Sequence, residues 1–435
     1  DSFKKGNKRT ILQLATAGGK TVLASTIIKN AVDKGNKVVV FVPRRELAYQ
    51  FHSTLTRVGV DAGIVMAGVD RKIANVQVAS FDTFESWAIK KEKMLAPEAD
   101  LVIIDEAHVY LDKQIRIVGE VYKDSYVIGL TATPARESGT GLGSFYQDMV
   151  LGVSIKELTE QGFLAPVRYY APPNNLDLSK LKLNRSGDYQ DKALEDLMDD
   201  NQLIGDIVEN WARIAGDRQT VVFCSGIKHS VHVCEQFNRF GIKAEHLDGK
   251  TDPEERKRIL ARVASGETQV LTNVFVATYG LDIPSLSCAV MARPTKNLAL
   301  YLQMVGRVMR LHEGKEDAIV IDHAGVVKEN GMVADEQYWS LDTKEKIKDR
   351  KERKQKEKKE KKDITCSNCG FVYKAERICP FCGTEWEMWG EEVPYYEADL
   401  VEIGEDPKKN NREASWGYKE DFAAAISMCG IIKGY

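Results

Sequence analysis

The chain has 435 residues, 43% of them hydrophobic, with a formal net charge of -3. That length accommodates two or three domains with sizeable cores. The near-balanced charge excludes a global basic field, so a nucleic-acid partner would need a local groove. No stretch is long and apolar enough to span a membrane, and no signal peptide is visible. Of eight cysteines, Cys224, Cys234, Cys288 and Cys429 are scattered and four are clustered. This usage fits a reducing, cytoplasmic setting with one metal site better than a disulfide framework.

In chain order, residues 9–14 read as a short buried strand, and residues 22–28 have small and apolar residues at helical spacing. Between them lies Ala15-Thr16-Ala17-Gly18-Gly19-Lys20-Thr21. A strand, a glycine turn and a helix direct free N–H groups at the positive end of a helix dipole, a geometry that binds phosphate. Lys20 would reach the terminal phosphates, and the Thr21 hydroxyl would ligate magnesium. The general cradle begins with glycine, where this chain has Leu14. An ordinary strand-turn-helix corner is the other reading of this heptapeptide alone.

Four apolar runs follow or flank helical patterns: 38–42, 76–81, 101–104 and 126–130. Continuous rather than alternating apolar runs predict parallel strands buried on both faces, hence a doubly wound α/β sheet. Asp105-Glu106-Ala107-His108 follows the third run. Carboxylates at the C-terminal end of a parallel strand lie where such sheets bind ligands. Asp105 suits magnesium and Glu106 suits polarising the attacking water; the alternative is a surface acidic pair starting a helix. Thr131-Ala132-Thr133-Pro134 follows the fourth run, as a strand-ending turn or as a relay to the second domain.

A second alternating region has strand candidates at 220–223, 243–247, 269–272, 287–291 and 318–321. The polar stretch 171–200 reads as a helical or loop insertion. In Gln303-Met304-Val305-Gly306-Arg307-Val308-Met309-Arg310, the spacing predicts Gln303, Arg307 and Arg310 on one helical face. Such a face needs an anionic partner, as arginine fingers on ATP or as an ordinary salt-bridged helix. Residues 342–363 are almost wholly charged: an exposed helix or linker, with a basic contact to nucleic acid and a solvated spacer both open. Cys366-x-x-Cys369 and Cys379-x-x-Cys382, each followed by glycine, fit tetrahedral zinc in a structural site. Phe371, Tyr373, Phe381, Trp386 and Trp389 would form the module's small core or stack on bases.

Taken together these motifs resemble those of superfamily-two helicases and translocases over roughly residues 10–325. "ATAGGKT" is similar to the first motif, "DEAH" to the second and "TATP" to the third; "NVFVATYGLDIP" is similar to the fifth and "QMVGRVMR" to the sixth. The closest resemblance is to RadD-type repair helicases, then to related phage branch-migration helicases, carried by residues 293–325 and the cysteine cluster. The resemblance implies two RecA-like domains, at 1–155 and 156–330. The rest reads as a charged linker or helix (331–363), a zinc ribbon (364–392) and a tail (393–435). It implies ATP, magnesium and zinc as cofactors, with Thr16, Ala17, Gly18, Gly19, Lys20, Thr21, Gly280 and Asp282 around the nucleotide. It implies catalytic roles for Asp105, Glu106, Gln303, Arg307 and Arg310. Arg45, Ser80 and Thr83, with Thr272 and Thr278, would hold the phosphate backbone of DNA.

The implied activity is an ATP-dependent DNA helicase or translocase on forked or branched DNA in replication, recombination or repair. The chain would act as a monomer, with single-strand-binding or repair proteins as further partners. An RNA helicase and a non-motor nucleic-acid scaffold are the alternatives. Intact Lys20, Glu106 and Arg307 favour the motor. The chain departs from the family pattern at Ala17, where glycine is usual, because alanine does not take φ > 0 freely. The family's adenine-reading aromatic and glutamine lie upstream of the cradle, and this sequence does not contain them.

Overall fold

The computed structural model describes residues 1–136, 139–171, 181–184, 188–199, 201–274, 282–346, 349–350, 352–353, 363–366, 372–374, 376, 378–380, 382–385 and 401–403. The chain forms two compact units. The first contains Asp1–Glu157 and Glu336–Arg353, and the second contains Leu158–Asp335 and the described residues after 362. Among the described residues no helix is long and apolar enough to cross a membrane.

The first unit is a seven-stranded sheet of β1 (Arg9–Gln13), β2 (Val38–Val42), β3 (Ala62–Val65), β4 (Val76–Ser80), β5 (Leu101–Asp105), β6 (Tyr126–Thr131) and β7 (Asp148–Leu151). Its order is β3-β4-β2-β5-β6-β1-β7, and every pairing is parallel. Successive side chains of a strand face opposite ways. Val38, Val40 and Val42 therefore pack with Leu23, Ala24 and Ile28 of helix Lys20–Asp33 and with Phe51 and Leu55 of helix Arg45–Arg57. Val39 and Phe41 pack on the other face with Ile117 and Val118 of helix Leu111–Glu120. Both faces are covered, which is why the strands read as unbroken apolar runs. Truncating the buried Phe51 to alanine would cost about 3–5 kcal/mol.

The second unit repeats the plan with β8 (Val167–Ala171), β9 (Thr220–Cys224), β10 (Ala244–Leu247), β11 (Val270–Asn273), β12 (Cys288–Ala292) and β13 (Ala318–Asp322). Val222, Val290 and Ile321 pack with Trp211 of helix Asn201–Ala215 and Phe237 of helix Ile227–Arg239. The Trp211 indole donates to the Thr220 hydroxyl at 2.7 Å, so the bulkiest core side chain leaves no buried donor unmet. In the polar insertion, helix Asp191–Met198 shares a small apolar cluster, with Leu194 and Met198 packed on Tyr189. The Asp188 carboxylate accepts from the Thr295 hydroxyl at 2.7 Å and the Lys296 N–H at 2.9 Å, tying the insertion to the second sheet's connections.

The segments after residue 330 have places that sequence patterning does not reveal. Leu341 packs against the first unit's core, and Lys346 bridges to Thr140. Those residues of the charged stretch therefore belong to the first unit. Three short strands, β14 (Asp363–Thr365), β15 (Val372–Lys374) and β16 (Val401–Ile403), extend the second sheet to β10-β11-β9-β12-β13-β8-β16-β15-β14. β16 runs antiparallel to β8 and occupies what would otherwise be an open edge. The described residues flanking the cysteines thus continue the second sheet.

Candidate nucleotide site and metal centre

β1 ends at Gln13, and helix Lys20–Asp33 begins six residues beyond Leu14. The loop between is a tight phosphate-type turn. Gly18 N–H donates to the Ala15 carbonyl at 2.9 Å, and Gly19 adopts φ 74° as the residue before the helix. Val22 and Leu23 N–H both reach the Gly19 carbonyl at 3.0 Å. Lys20 and Thr21 stand at the helix start, where a backbone N–H has no carbonyl one turn back. Ala17 takes φ 61°, the left-handed conformation that glycine usually supplies, at a cost of roughly 1–2 kcal/mol for an L-residue. The loop therefore keeps its shape despite the substitution, with strain stored in it.

Asp105 and Glu106 emerge from the C-terminal end of β5. The ammonium of Lys20 lies 3.3 Å from Glu106 Oε1, with both side chains largely buried. Glu106 has φ 49°, a second left-handed residue beside the cradle; strained backbone of this kind clusters at functional sites. Burial first, then the neighbouring charge of Glu106, holds the Asp105 carboxyl well above the usual carboxylate range, while Lys20 and the Glu106 N–H pull the other way. A cation beside Asp105 would reverse that balance. The Thr21 hydroxyl and the Asp105 carboxylate are oxygen donors of the kind magnesium takes. Thr16 Oγ1 is buried and has no partner among the described residues, as a cradle atom awaiting a ligand would be.

Two residues that the motif reading did not assign complete this centre. His108 Nδ1 lies 2.9 Å from Thr131 Oγ1 and 3.5 Å from Glu106 Oε2. Burial pushes the imidazole pKa down, which favours the neutral ring. Thr131 in turn receives the Thr133 N–H at 3.0 Å, and Gln13 donates to the Ala132 carbonyl at 3.1 Å. The second and third motifs are thus linked through His108–Thr131 inside the first unit. The spacing of "DEAH" and "TATP" could not show it, because the two are adjacent only through the β5–β6 pairing.

In the second unit Gln303 is buried, and neither end of its amide has a partner among the described residues. The helix that carries it, Leu298–Gly306, ends there. Arg307 is its C-cap, and Arg307 and Val308 N–H turn back to Met304 and Val305 in tighter, three-residue bonds. The expected single helical face is corrected: Arg310 lies past the helix end, and its guanidinium pairs with Asp282 at 2.9 Å. That pair joins the fifth and sixth motifs. Gly280 and Thr278 lie outside the described residues.

The expected nucleic-acid contacts fall into two groups. Arg45 is exposed at the start of its helix, where it donates to the Ala67 carbonyl at 2.7 Å. Ser80 caps the short helix after β4, and Thr83 Oγ1 lies 2.9 Å from Ser80 Oγ and receives the Ala67 N–H at 3.3 Å. Arg45, Ser80 and Thr83 therefore meet around Ala67. Thr272 does not face outward. It is fully buried in β11 and donates to the Ser230 carbonyl at 3.0 Å, so its side chain serves the sheet.

Cys366, Cys379 and Cys382 bring their sulfurs within 4.8 Å of one another, and Cys366 and Cys382 sulfurs are 3.6 Å apart. Zn–S bonds of about 2.3 Å in a tetrahedron put sulfurs roughly 3.8 Å apart, so the donor set fits that metal. Gly383, at φ 76°, turns the second knuckle, with its N–H on the Cys379 carbonyl at 2.9 Å. Cys369, Phe371, Phe381, Trp386 and Trp389 lie outside the described residues.

Two RecA-like sheets, a phosphate cradle at one strand end and an acidic pair at another define a nucleotide-dependent helicase core. Comparison with known proteins agrees. Residues 1–136 match the family described as the type III restriction enzyme res subunit, and residues 201–312 match the helicase conserved C-terminal domain. A 51.5 kDa protein of a Lactococcus phage is 28% identical, with 87% of this chain and 78% of that protein covered. The putative ATP-dependent helicase IRC3 of Saccharomyces cerevisiae is 30% identical over 75% of this chain, which spans half the length of that relative. A fragment of an HsdR subunit of a type I restriction enzyme from Vibrio vulnificus has the same fold, with a TM-score of 0.59 at 21% identity, covering 76% of this chain and 63% of that one. The two units thus match these two family models, and the chain is similar to proteins described as ATP-dependent helicases.

Proposed function

We propose that this chain is an ATP-driven motor on DNA, acting on forked or branched substrates in replication, recombination or repair, as RadD-type helicases do. The observation that carries the motor reading is the Lys20–Glu106 pair between the phosphate turn and the strand-end acid. A scaffold with a silent ATPase fold has no need to retain both. Lys20 and the cradle N–H groups would hold the phosphates, Thr21 and Asp105 magnesium, and Glu106 the attacking water. Magnesium would supply charge neutralisation on the phosphate oxygens. Gln303, Arg307 and Arg310 would stabilise charge developing on the transferred phosphoryl group. The type III restriction family matched by the first unit supports DNA over RNA.

Arg45, Ser80 and Thr83 are the first-unit candidates for the backbone grip. Cys366, Cys379 and Cys382, with Cys369, would hold one structural zinc. The test is ATPase stimulation across forks, four-way junctions, single strands, duplex and RNA. Greatest stimulation by branched DNA supports the reading. Stimulation by RNA alone would overturn the DNA assignment, and no stimulation by any nucleic acid would overturn the motor.

A further inference from the structure

Five residues beyond Arg310 lies Lys315, which no motif includes. Its ammonium is drawn inward and donates to three main-chain carbonyls: Leu286 at 2.7 Å, Arg310 at 2.7 Å and Pro284 at 3.2 Å. All three donor positions of the ammonium are used. Two of the carbonyls belong to the segment just after Asp282, and the third is Arg310's own. Arg310 is therefore fixed twice. Asp282 holds its guanidinium, and Lys315 holds its main chain to the same segment that carries Asp282.

The placement is costly. Burial, then the like charges of Arg310 and Arg218, push the Lys315 pKa down to about 7 against the attraction of Asp317. A space-filling role would not need an ammonium there, and an apolar side chain would fill the volume without that cost. Three converging carbonyls do need one, because a buried acceptor left unmet is penalised.

We propose that Lys315 is the positioning residue for Arg310, clamping the end of the sixth motif to the segment after Asp282 so that the guanidinium is pre-set for a phosphate. This rests on the ATPase reading above. A misplacement of an ångström in such a group costs up to about a hundredfold in rate. Lys315→Met keeps the stem and removes the donors. Its expected effect is a fall in kcat of roughly ten- to a hundredfold with KM for ATP within about twofold, and Lys315→Arg should recover part of the loss.

The discriminating measurement is a cycle of Lys315→Met with Arg310→Ala. Residues acting as one unit give losses that do not multiply. A double variant no slower than Arg310→Ala alone supports the clamp. Unchanged kcat in Lys315→Met, or losses that multiply, overturns it. If Lys315→Met does not fold, Lys315→Gln, which keeps N–H donors, enters the same cycle. Amide exchange separates this idea from the motor reading. Residues 282–286 and 307–311 should exchange faster in Lys315→Met whether or not the wild type hydrolyses ATP, and unchanged exchange there overturns the clamp by itself. A wild type without ATPase but with that exchange change would sink the motor reading alone.

Discussion

The Lys20 ammonium and the Glu106 carboxylate stand 3.3 Å apart, each largely buried, and they follow the C-terminal ends of two parallel strands, β1 and β5, separated by β6 in the sheet. On the proposed assignment, the phosphate-binding cation and the water-polarising base are thus paired with each other. Phosphate binding would draw Lys20 away and leave Glu106 as a base. The pair thus makes the two groups' roles separable by substitution.

Glu106→Gln should retain ATP binding and lose hydrolysis by about a hundred- to ten-thousandfold. Lys20→Ala should weaken binding as well. Steady-state ATPase and fluorescent-nucleotide affinity, measured on both variants, check this; near-normal turnover in Glu106→Gln would remove it from catalysis.

Ala17 is strained at φ 61°, so Ala17→Gly should stabilise the first unit. The gain is about 1 kcal/mol, because relief of strain exceeds the extra chain entropy of glycine. Thermal unfolding should shift upward by roughly 2–4 °C. A lower midpoint would show that the alanine methyl packs better than the backbone suffers.

Arg307→Ala should slow turnover by about a thousandfold with a smaller effect on nucleotide affinity. Single-turnover hydrolysis at saturating ATP is the measurement, and a rate equal to wild type would leave the buried Gln303 and Arg310 as the only sixth-motif contributors.

Arg45→Ala should weaken DNA binding and reduce the slope of affinity against salt by about one counterion. Binding titrations between low and physiological salt decide it. An unchanged slope assigns the exposed Arg45 to the Ala67 carbonyl alone.

Replacing Cys366 and Cys379 with serine should abolish the zinc content of the purified chain while leaving basal ATPase in place, since none of the proposed nucleotide residues belongs to the segment 363–385. Because β14–β16 continue the second sheet, the variant should also unfold at lower temperature. Metal analysis of the wild type with less than one zinc per chain would refute the site.

The parts of the structure legible in the sequence are those whose chemistry is local. Val38–Val42 and Leu101–Asp105 are buried on both faces, so apolarity alone marks them. β7 and β8 carry little continuous apolar signal: Asp148–Leu151 is nowhere fully buried, and Val167–Ala171 is interrupted by Arg168 and two tyrosines. The cradle and the acidic pair were legible because backbone geometry forces their spacing. The end of the helix at Gly306 was not, since the side chains that fix Arg310 come from Asp282 and Lys315, one before and one after it. Thr272 has a suitable residue type just before the fifth motif, yet its hydroxyl turns into the sheet toward Ser230.

β1 lies between β6 and β7, the last two strands of the first sheet in chain order. A chain emerging from the ribosome therefore presents the strand leading to the cradle long before anything can receive it. At 5–20 residues per second, Arg9–Gln13 waits on the order of ten seconds for its partners. Within this sheet the strand leading to the cradle is thus made before the strands it pairs with, and a product ending before β6 would carry every cradle residue without the sheet that positions them.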